Sequence, residues 1–382
     1  MIESLFWISV AAILYTYAGY PILVWLLSRL RSHEVLRADI TPRVSIVIAC
    51  HNEQDKIERR IRNLLECDYP AELMEIVIVS DGSTDFTAEV ARRYATNHVN
   101  LLAYDSQRGK ATALNVGVEI ANGEIVIFAD ARQSFEPAAI KQLVANFADP
   151  SGGAVSGELL LDGGGNSSVG EGVGLYWKYE KWIRKSESRA GSTIGATGAI
   201  YAIRRALWRP LPATTILDDV YTPMGIALEG HRVVFEEKAR AHDITTDSAR
   251  REFARKVRTL TGNYQLCQLM PRLLMPNNLL LFQFYSHKLM RLVSPIFFLL
   301  LFATNLIIAA STSGAVQLFY QAAFGGQLIF YIGVLAGGYL LKRNRKARLL
   351  NFAYVFSLMN AAALVGLIYF LLGKRNIWAR GE

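Results

Sequence analysis

Two short apolar segments each run directly into an aspartate, and this pattern constrains the fold more than any other part of the chain. Residues 77–79 lead through Ser80 to Asp81, and residues 126–129 lead to Asp130. An apolar run of this length that ends in a polar residue is typical of a buried strand in a parallel sheet. Because ligands bind beyond the carboxyl ends of such strands, we expect both carboxylates at one ligand-binding edge.

A third apolar segment extends this pattern. Residues 44–50 are consistent with a strand and are followed by His51-Asn52-Glu53, after which apolar residues recur at helical spacing up to Leu65. Short strands that alternate with amphipathic helices predict a parallel sheet with right-handed crossovers. The predicted fold class is therefore α/β, with a Rossmann-type domain that binds a nucleotide, and Glu53 is a candidate contact of the ligand.

Long uncharged segments at both ends predict a membrane protein. Hydrophobic residues make up 52% of the 382 residues, which is high for a soluble enzyme. Residues 5–27 can span a bilayer, and the arginines that follow place the next domain in the cytoplasm. Residues 292–341 contain no charged side chain and are long enough for two crossings, and residues 349–373 supply another. A cleaved signal peptide is the alternative for the first segment, but its length favours a retained anchor.

These segments divide the chain. We expect an N-terminal transmembrane helix at 1–31, a cytoplasmic domain at 32–248, amphipathic interfacial helices at 249–290, about three transmembrane helices at 291–373, and a tail at 374–382. Four spans would leave both termini outside, and the basic tail fits that placement poorly. A re-entrant segment in place of one span would move the C-terminus to the cytoplasmic side.

The charge of the chain points to lipid and not to nucleic acid. The formal net charge is +8, and the Lys and Arg residues cluster beside the apolar segments, where anionic lipid head groups attract them. We therefore expect contact with the lipid bilayer of a bacterial-type plasma (inner) membrane and no nucleic-acid partner. The three cysteines have neither metal-ligand nor disulfide spacing, which suits a reducing cytosol.

Several motifs, in this order along the chain, resemble those of the membrane-bound family-2 glycosyltransferases, the group of cellulose, chitin and hyaluronan synthases and many bacterial exopolysaccharide enzymes. They lie at residues 77–85, 108–115, 126–132, 191–205, 217–220 and 255–259. The resemblance covers roughly residues 41–290. It implies a GT-A-like nucleotide-sugar domain joined to an α-helical transmembrane region, a UDP-sugar donor, and Mg²⁺ or Mn²⁺ as cofactor.

The resemblance also assigns the donor site. Asp81 would receive the uracil N–H, although a helix cap is an alternative for this cluster of polar residues. Lys110 begins a predicted helix and would contact the diphosphate. Asp130 would hold the metal, which neutralises the departing nucleotide. Arg132 replaces the second Asp of the family's Asp-x-Asp motif, so that this side chain could itself contact phosphate.

The catalytic and acceptor residues follow further along the chain. In the family the region of Gly195, Thr197 and Gly198 lines the acceptor site, although a plain loop would have the same composition. The pair Asp218-Asp219 resembles the family's acidic pair, which makes Asp219 the expected base and Asp218 its supporter. Adjacent acids also begin helices, so a capping role remains open for Asp218.

A basic amphipathic stretch at residues 249–270 predicts a helix at the membrane surface. Within it, Arg255 and Arg258 match the spacing of the family's Gln-x-x-Arg-Trp motif and would hold the diphosphate, whereas Thr259 stands in the place of the Trp. In the family that Trp stacks against the acceptor sugar. Thr259 in its place therefore weakens the prediction of processive synthesis but not the prediction of sugar transfer.

The sequence thus predicts an inverting membrane glycosyltransferase that moves a sugar of the Glc or GlcNAc type from a UDP-sugar onto a growing β-linked polysaccharide, with export as a coupled step. Single addition to a lipid-linked acceptor is the alternative, and a non-catalytic subunit of an export complex is a third hypothesis. A homo-oligomer or an export partner could complete a pore.

Overall fold

The computed structural model describes residues 1–96, 98–162, 168–244, 249–311, 313–343, 345 and 347–373. The predicted tail at 374–382 and the boundary predicted at residue 248 lie outside these ranges. The strands are β1 (Val44–Cys50), β2 (Met74–Ser80), β3 (Val99–Ala103), β4 (Ile125–Ala129), β5 (Ser134–Phe135), β6 (Gly152–Asp162), β7 (Ile200–Arg204) and β8 (Arg232–Ile244).

The main helices surround this sheet and continue beyond it. They are α1 (Ile2–Leu30), α2 (Gln54–Leu65), α3 (Thr87–Arg92), α4 (Lys110–Glu119), α5 (Ala139–Val144), α6 (Ser168–Ala190), α7 (Asp218–Leu228), α8 (Ala249–Leu269), α9 (Leu281–Ser311), α10 (Gly314–Lys342) and α11 (Arg348–Leu371). A π-helical turn interrupts α1 at Tyr15–Gly19, and another interrupts α9 at Phe284–Leu289.

The strands form one eight-stranded mixed sheet in the order β3-β2-β1-β4-β7-β6-β8-β5. The first four positions are parallel, and β7 joins β4 in the antiparallel direction. The central strands β1 and β4 are almost entirely apolar and buried, as expected for a sheet that is covered by helices on both sides. The predicted α/β class is confirmed.

The parallel strands end at one edge of the sheet. Cys50 at the end of β1 lies opposite Ser80 at the end of β2, and β4 runs beside β1 to Ala129. The polar residues that follow these strands therefore lie side by side. The two aspartates that the sequence placed at strand ends, Asp81 and Asp130, are both found at this edge.

Four helices are long and apolar enough to cross a membrane, namely α1, α9, residues 316–342 of α10, and α11. This agrees with the four segments predicted from the sequence, and α9 and α10 divide the uncharged segment 292–341 into two helices. One boundary differs, because α9 starts at Leu281 and not near residue 291. The residues just before the apolar run therefore belong to the same helix as the run itself.

The basic helix α8 has a different environment from the predicted one. Gly262 lies against Leu217, at the start of α7, and the hydroxyl of Thr261 donates to the carbonyl of Gly366 in α11 at 3.3 Å. Tyr264 likewise donates to the carbonyl of Leu292. The apolar face predicted to lie on a membrane surface is thus largely covered by α11 and α9, and the helix joins the catalytic domain to the apolar helices.

Candidate active site

Two carboxylates converge on one ammonium group at the carboxyl edge of the sheet. Lys110 is the first residue of α4, and its Nζ lies 3.1 Å from Asp130 Oδ1 and 3.3 Å from Asp218 Oδ1. Burial would lower the pKa of Lys110, but these carboxylates and Asp219 outweigh burial and raise the pKa above its usual value. The ammonium therefore stays charged, and Asp130, Asp218 and Lys110, which are far apart in sequence, form one cluster.

Asp219 lies next to this cluster and is held by the neighbouring loop. Its Oδ2 accepts a hydrogen bond from the backbone N–H of Gly198 at 3.0 Å. Burial and the nearby carboxylate of Asp218 raise the pKa of Asp219 to about 6. A carboxylate with such a pKa is ionised near neutral pH and still basic enough to accept a proton from a substrate.

The predicted acceptor loop surrounds this carboxylate. Gly198 has no room for a side chain, because a Cβ there would lie 2.9 Å from Asp219 Oδ2. Gly195 has a φ of +112°, a conformation that favours glycine. The hydroxyl of Thr197 accepts a hydrogen bond from Arg184 in α6 at 2.8 Å. The loop is therefore a defined element of the site, fixed from both sides.

Asp218 does not cap its helix. The N-cap position of α7 belongs to Leu217, and Asp218 is the first helical residue, with its carboxylate turned to Lys110. The capping alternative is therefore wrong for Asp218.

Asp81 has a different role from the predicted one. Its Oδ1 accepts the N–H of Arg108 at 2.7 Å and its Oδ2 accepts the N–H of Gly109 at 2.8 Å, and the residue is only 1% exposed. Both oxygens thus hold the turn that precedes α4, and Asp81 is not among the described residues that line the cavity of Lys110. A Cβ on Gly82 would lie 2.2 Å from the backbone nitrogen of Gln107, which shows how closely the two loops pack.

Two further predicted contacts have protein partners. Arg132 pairs with Asp243 on β8, Nη2 to Oδ2 at 2.5 Å, and Glu53 pairs with Lys56 at 2.5 Å. Arg132 and Glu53 nevertheless both line the same cavity as Lys110. A phosphate at this edge would have to share the guanidinium of Arg132 with Asp243.

Asp130 and Asp218 fit a divalent cation that is bound mainly through its substrate. In the described part of the chain no cluster of three or more His, Cys, Asp or Glu side chains could hold a metal. The carboxylates of Asp130 and Asp218 nevertheless both approach the Lys110 ammonium, at 3.1 Å and 3.3 Å. Mg²⁺ commonly binds through one or two carboxylates together with substrate phosphates and water. The residues therefore fit an ion that enters with a diphosphate.

The arginines of α8 face the site from the opposite side. Arg255 and Arg258 both line the cavity. Arg255 pairs with Glu252, Nη2 to Oε2 at 2.5 Å, whereas Arg258 has no carboxylate partner within the described ranges. Because the positive charge of Arg258 also acts on Lys110, the two cations lie near each other. Both arginines thus line the cavity, and Arg258 is the more available of the two for an anionic ligand.

One continuous cavity of about 3250 Å³ connects these groups to the apolar helices. It begins at the ends of β1 and β4, passes Asp218 and Asp219, and continues to residues of α1, α10 and α11. The far end is lined by Tyr17, Phe330, Leu349, Phe352, Phe356 and Met359, and by the polar side chains of Arg348 and Asn360. The cavity is therefore polar at the sheet edge and mostly apolar at its far end.

Sequence reasoning missed several cationic residues of this cavity. Arg184, Lys256 and Lys288 line it between Asp219 and the apolar end. Arg184 lies in a helix whose aromatic residues suggested only packing or stacking, and Lys288 resembles an ordinary charge beside a membrane span. Only the tertiary packing of α6, α8 and α9 brings the three together.

Comparison with a solved structure defines the class of this fold. The mannosyltransferase PcManGT from Pyrobaculum calidifontis, solved in complex with GDP-Man and Mn²⁺, aligns with 98% of this chain and 100% of its own, with a TM-score of 0.73 and 23% sequence identity. The mixed sheet and its apolar helices thus have the fold of a GT-A glycosyltransferase with a membrane region.

The sequence comparisons show similarity to one family of transferases. Residues 45–209 match the family described as "Glycosyl transferase family 2". The chain is 28% identical over 233 residues to the poly-beta-1,6-N-acetyl-D-glucosamine synthase of Staphylococcus aureus strain MSSA476, which covers 58% of this chain and 55% of the relative. The enzyme of the same name from Staphylococcus epidermidis is 25% identical over 229 residues, with the same coverage. The chain thus spans about half the length of the curated relatives it matches.

Proposed function

We propose that this protein is an inverting glycosyltransferase that moves a hexosyl or N-acetylhexosaminyl group from a UDP-sugar to a hydroxyl group of a saccharide acceptor. The observation that carries the proposal is the arrangement around Asp219. A carboxylate with a raised pKa lies beside a cluster of Lys110, Asp130 and Asp218 at the carboxyl edge of a family 2 domain.

The residues have separate tasks in this proposal. Asp219 accepts the proton of the acceptor hydroxyl while that oxygen attacks the anomeric carbon on the face opposite the diphosphate. The bond between the anomeric carbon and the diphosphate oxygen breaks, and UDP leaves with the electron pair. Lys110 and Arg258 offset the negative charge that develops on the leaving group. Mg²⁺ or Mn²⁺ at Asp130, when bound, supplies further stabilisation of that charge.

Two acceptor classes are compatible with this chemistry. The relatives named as poly-beta-1,6-N-acetyl-D-glucosamine synthases favour a growing β-linked polysaccharide. The apolar lining of the cavity beyond Asp219, which includes Phe352 and Phe356, favours instead a single addition to a lipid-linked acceptor. A polysaccharide tunnel would be expected to offer hydroxyl and amide partners along its length.

Purified full-length protein, incubated with labelled UDP-sugars in turn and with each acceptor class, tests both parts. We expect UDP release and label transfer from one UDP-sugar, and product size then separates a polymer from a single addition. If no UDP-sugar releases UDP in the presence of either acceptor, the transferase proposal is wrong.

A further inference from the structure

Three cations line the cavity on the membrane side of Asp219, where the donor chemistry does not need them. Arg184 in α6, Lys256 in α8 and Lys288 in α9 all contribute to the lining. Arg184 and Lys288 both act electrostatically on Asp219, and Lys256 acts on Arg184. The three charges therefore form one cluster, which we call the membrane-side cations.

The neighbouring carboxylates are already engaged elsewhere. Glu252 pairs with Arg255, Glu180 pairs with Arg291 and His287, and Glu187 binds Tyr20 and His287. In the part of the chain that the structure describes, none of the three membrane-side cations has an ion pair of its own. Asp219 and Glu187 act on these cations electrostatically, as Glu252 does on Lys256, but none of these carboxylates lies within ion-pair distance of them among the described residues.

The protein contacts that these cations do make leave them able to bind an anion. Arg184 donates one hydrogen bond to Thr197, and a guanidinium carries five N–H donors. The ammonium of Lys256 lies 5.1 Å from the ring centre of Tyr176 and 5.6 Å from that of Trp177. Burial lowers the pKa of Lys256 to about 8, and the opposing effect of the Glu252 carboxylate is smaller.

A partly buried cation without an ion pair is unfavourable. Such residues are common at sites where a ligand supplies the opposite charge. The cavity continues from these cations to its mostly apolar end at α11. There Leu349 is 84% exposed and Phe352 is 43% exposed. A ligand that fits both parts has an anionic group attached to an apolar chain.

We infer that the membrane-side cations bind the phosphate or diphosphate group of a lipid-linked acceptor, whose apolar chain lies along α11. The inference rests on the proposed transferase function and specifies its acceptor. The sugar of such an acceptor would lie between the lipid phosphate and the donor, with its hydroxyl at Asp219. Arg184 joins the two parts of the site, since it also holds Thr197 beside the loop that positions this base.

Direct binding to the purified full-length protein in detergent tests this inference. The probe is a short-chain polyprenyl phosphate, and the same polyprenol without phosphate and inorganic phosphate serve as comparison ligands. Saturating UDP with Mn²⁺ is present throughout, so that the donor diphosphate site is filled. We expect Arg184→Gln and Lys256→Gln each to weaken binding of the polyprenyl phosphate by about tenfold or more, since each removes a charge-assisted contact.

The control variant is Lys178→Gln, which removes an exposed lysine from the same helix as Arg184, outside the cavity lining, and should leave binding unchanged. Arg184→Lys keeps the charge and should retain more affinity than Arg184→Gln if both variants fold. Unchanged binding in both glutamine variants, or no binding of the polyprenyl phosphate to the wild-type protein under saturating UDP, would overturn the inference. Inorganic phosphate that binds as tightly as the polyprenyl phosphate would overturn the role of the lipid chain.

The same preparations separate this inference from the proposed function. UDP affinity does not depend on the membrane-side cations in our account. Loss of lipid binding with normal UDP affinity supports the acceptor site, whereas the absence of UDP binding in the wild-type protein would contradict the transferase itself.

Discussion

Asp219 is the residue on which the proposed chemistry depends. The surroundings of Asp219 shift its pKa in opposite directions. Burial and Asp218 raise the pKa, whereas Lys110 and Lys288 lower it. The outcome is a pKa of about 6, which leaves the carboxylate ionised at neutral pH with more basicity than an exposed aspartate has. The backbone N–H of Gly198 then fixes the position of the oxygen that receives the proton.

The pH dependence of turnover follows from this pKa. Only ionised Asp219 can accept a proton, so kcat/KM should rise as the pH increases through about 6 and then level off. Asp218→Asn removes the neighbouring charge that raises the pKa, and the rising limb should move to lower pH. A profile that is flat from about pH 5 to 8, or a limb that Asp218→Asn does not move, would assign the base elsewhere.

Asp130 is the residue through which metal dependence should appear. We expect transfer to be lost in a chelator and restored by Mn²⁺ or Mg²⁺, because the diphosphate cannot leave readily without compensation of its charge. Asp130→Ala should not recover at any metal concentration that restores the wild type. Full activity in the chelator would instead mean that Lys110, which already bridges Asp130 and Asp218, replaces the ion.

Residue positions were predictable from the sequence where a side chain follows or begins a regular element, but the partners of that side chain were not. Asp130 follows β4 as expected, and Asp218 and Asp219 begin α7. Asp81 was assigned to a base because its partners, the N–H groups of Arg108 and Gly109, come from a distant turn. Arg132 was assigned to phosphate because nothing local indicates Asp243 on β8.

The loop before β7 and the start of α7 act as one element. Ala196 donates its N–H to the carbonyl of Asp219, and Gly198 donates to its carboxylate. Because the two hydrogen bonds run between the same segments, the loop conformation determines where the base lies. A change in the loop should therefore affect catalysis before it affects folding.

Gly198→Ala tests this coupling. The new Cβ would lie 2.9 Å from Asp219 Oδ2 and must displace the carboxylate, so kcat should fall by about tenfold or more. Gly174→Ala is the matched control, since a Cβ there meets nothing within 4 Å and should leave kcat unchanged. Equal kcat in the two variants, with equal melting temperatures, would show that the loop does not position the base.

Helices were predictable as elements, but their environments were not. The apolar face of α8 is evident from its spacing, yet the spacing cannot say whether lipid or another helix covers it. In the structure Gly366 of α11 allows the backbone of α8 to approach, with a Cβ at that position only 3.1 Å from the nitrogen of Thr261. Such a contact depends on a glycine more than a hundred residues away.

The whole molecule joins the domain of the mixed sheet to apolar helices through a shared cavity. Both halves of α11 take part, because Arg348 and Leu349 near its start line the cavity and Gly366 near its end contacts α8. A helix that crossed the membrane fully would carry one of these ends away from the catalytic domain. These contacts therefore favour an arrangement in which α11 does not cross the membrane fully. It would instead lie on the side of the apolar helices that faces the sheet domain.

This placement predicts the side of the C-terminus. We expect a reporter fused after residue 382 to lie on the same side of the membrane as the catalytic domain, in contrast to the outside location that four full crossings would give. The basic residues Lys374, Arg375 and Arg380 also favour the cytoplasmic side. A reporter inserted at Ser313, between α9 and α10, should lie on the opposite side. A C-terminal reporter outside the cell would establish α11 as a complete span.

The most direct test of the account is transfer by Asp219→Asn protein. The amide keeps the shape of the side chain but cannot accept the proton, so transfer from the UDP-sugar should fall by about a hundredfold or more, with UDP affinity retained. Asp68→Asn, at an exposed carboxylate that pairs with Lys141, controls for the loss of a surface charge and should transfer normally. Near-normal transfer by Asp219→Asn protein would contradict the proposed mechanism.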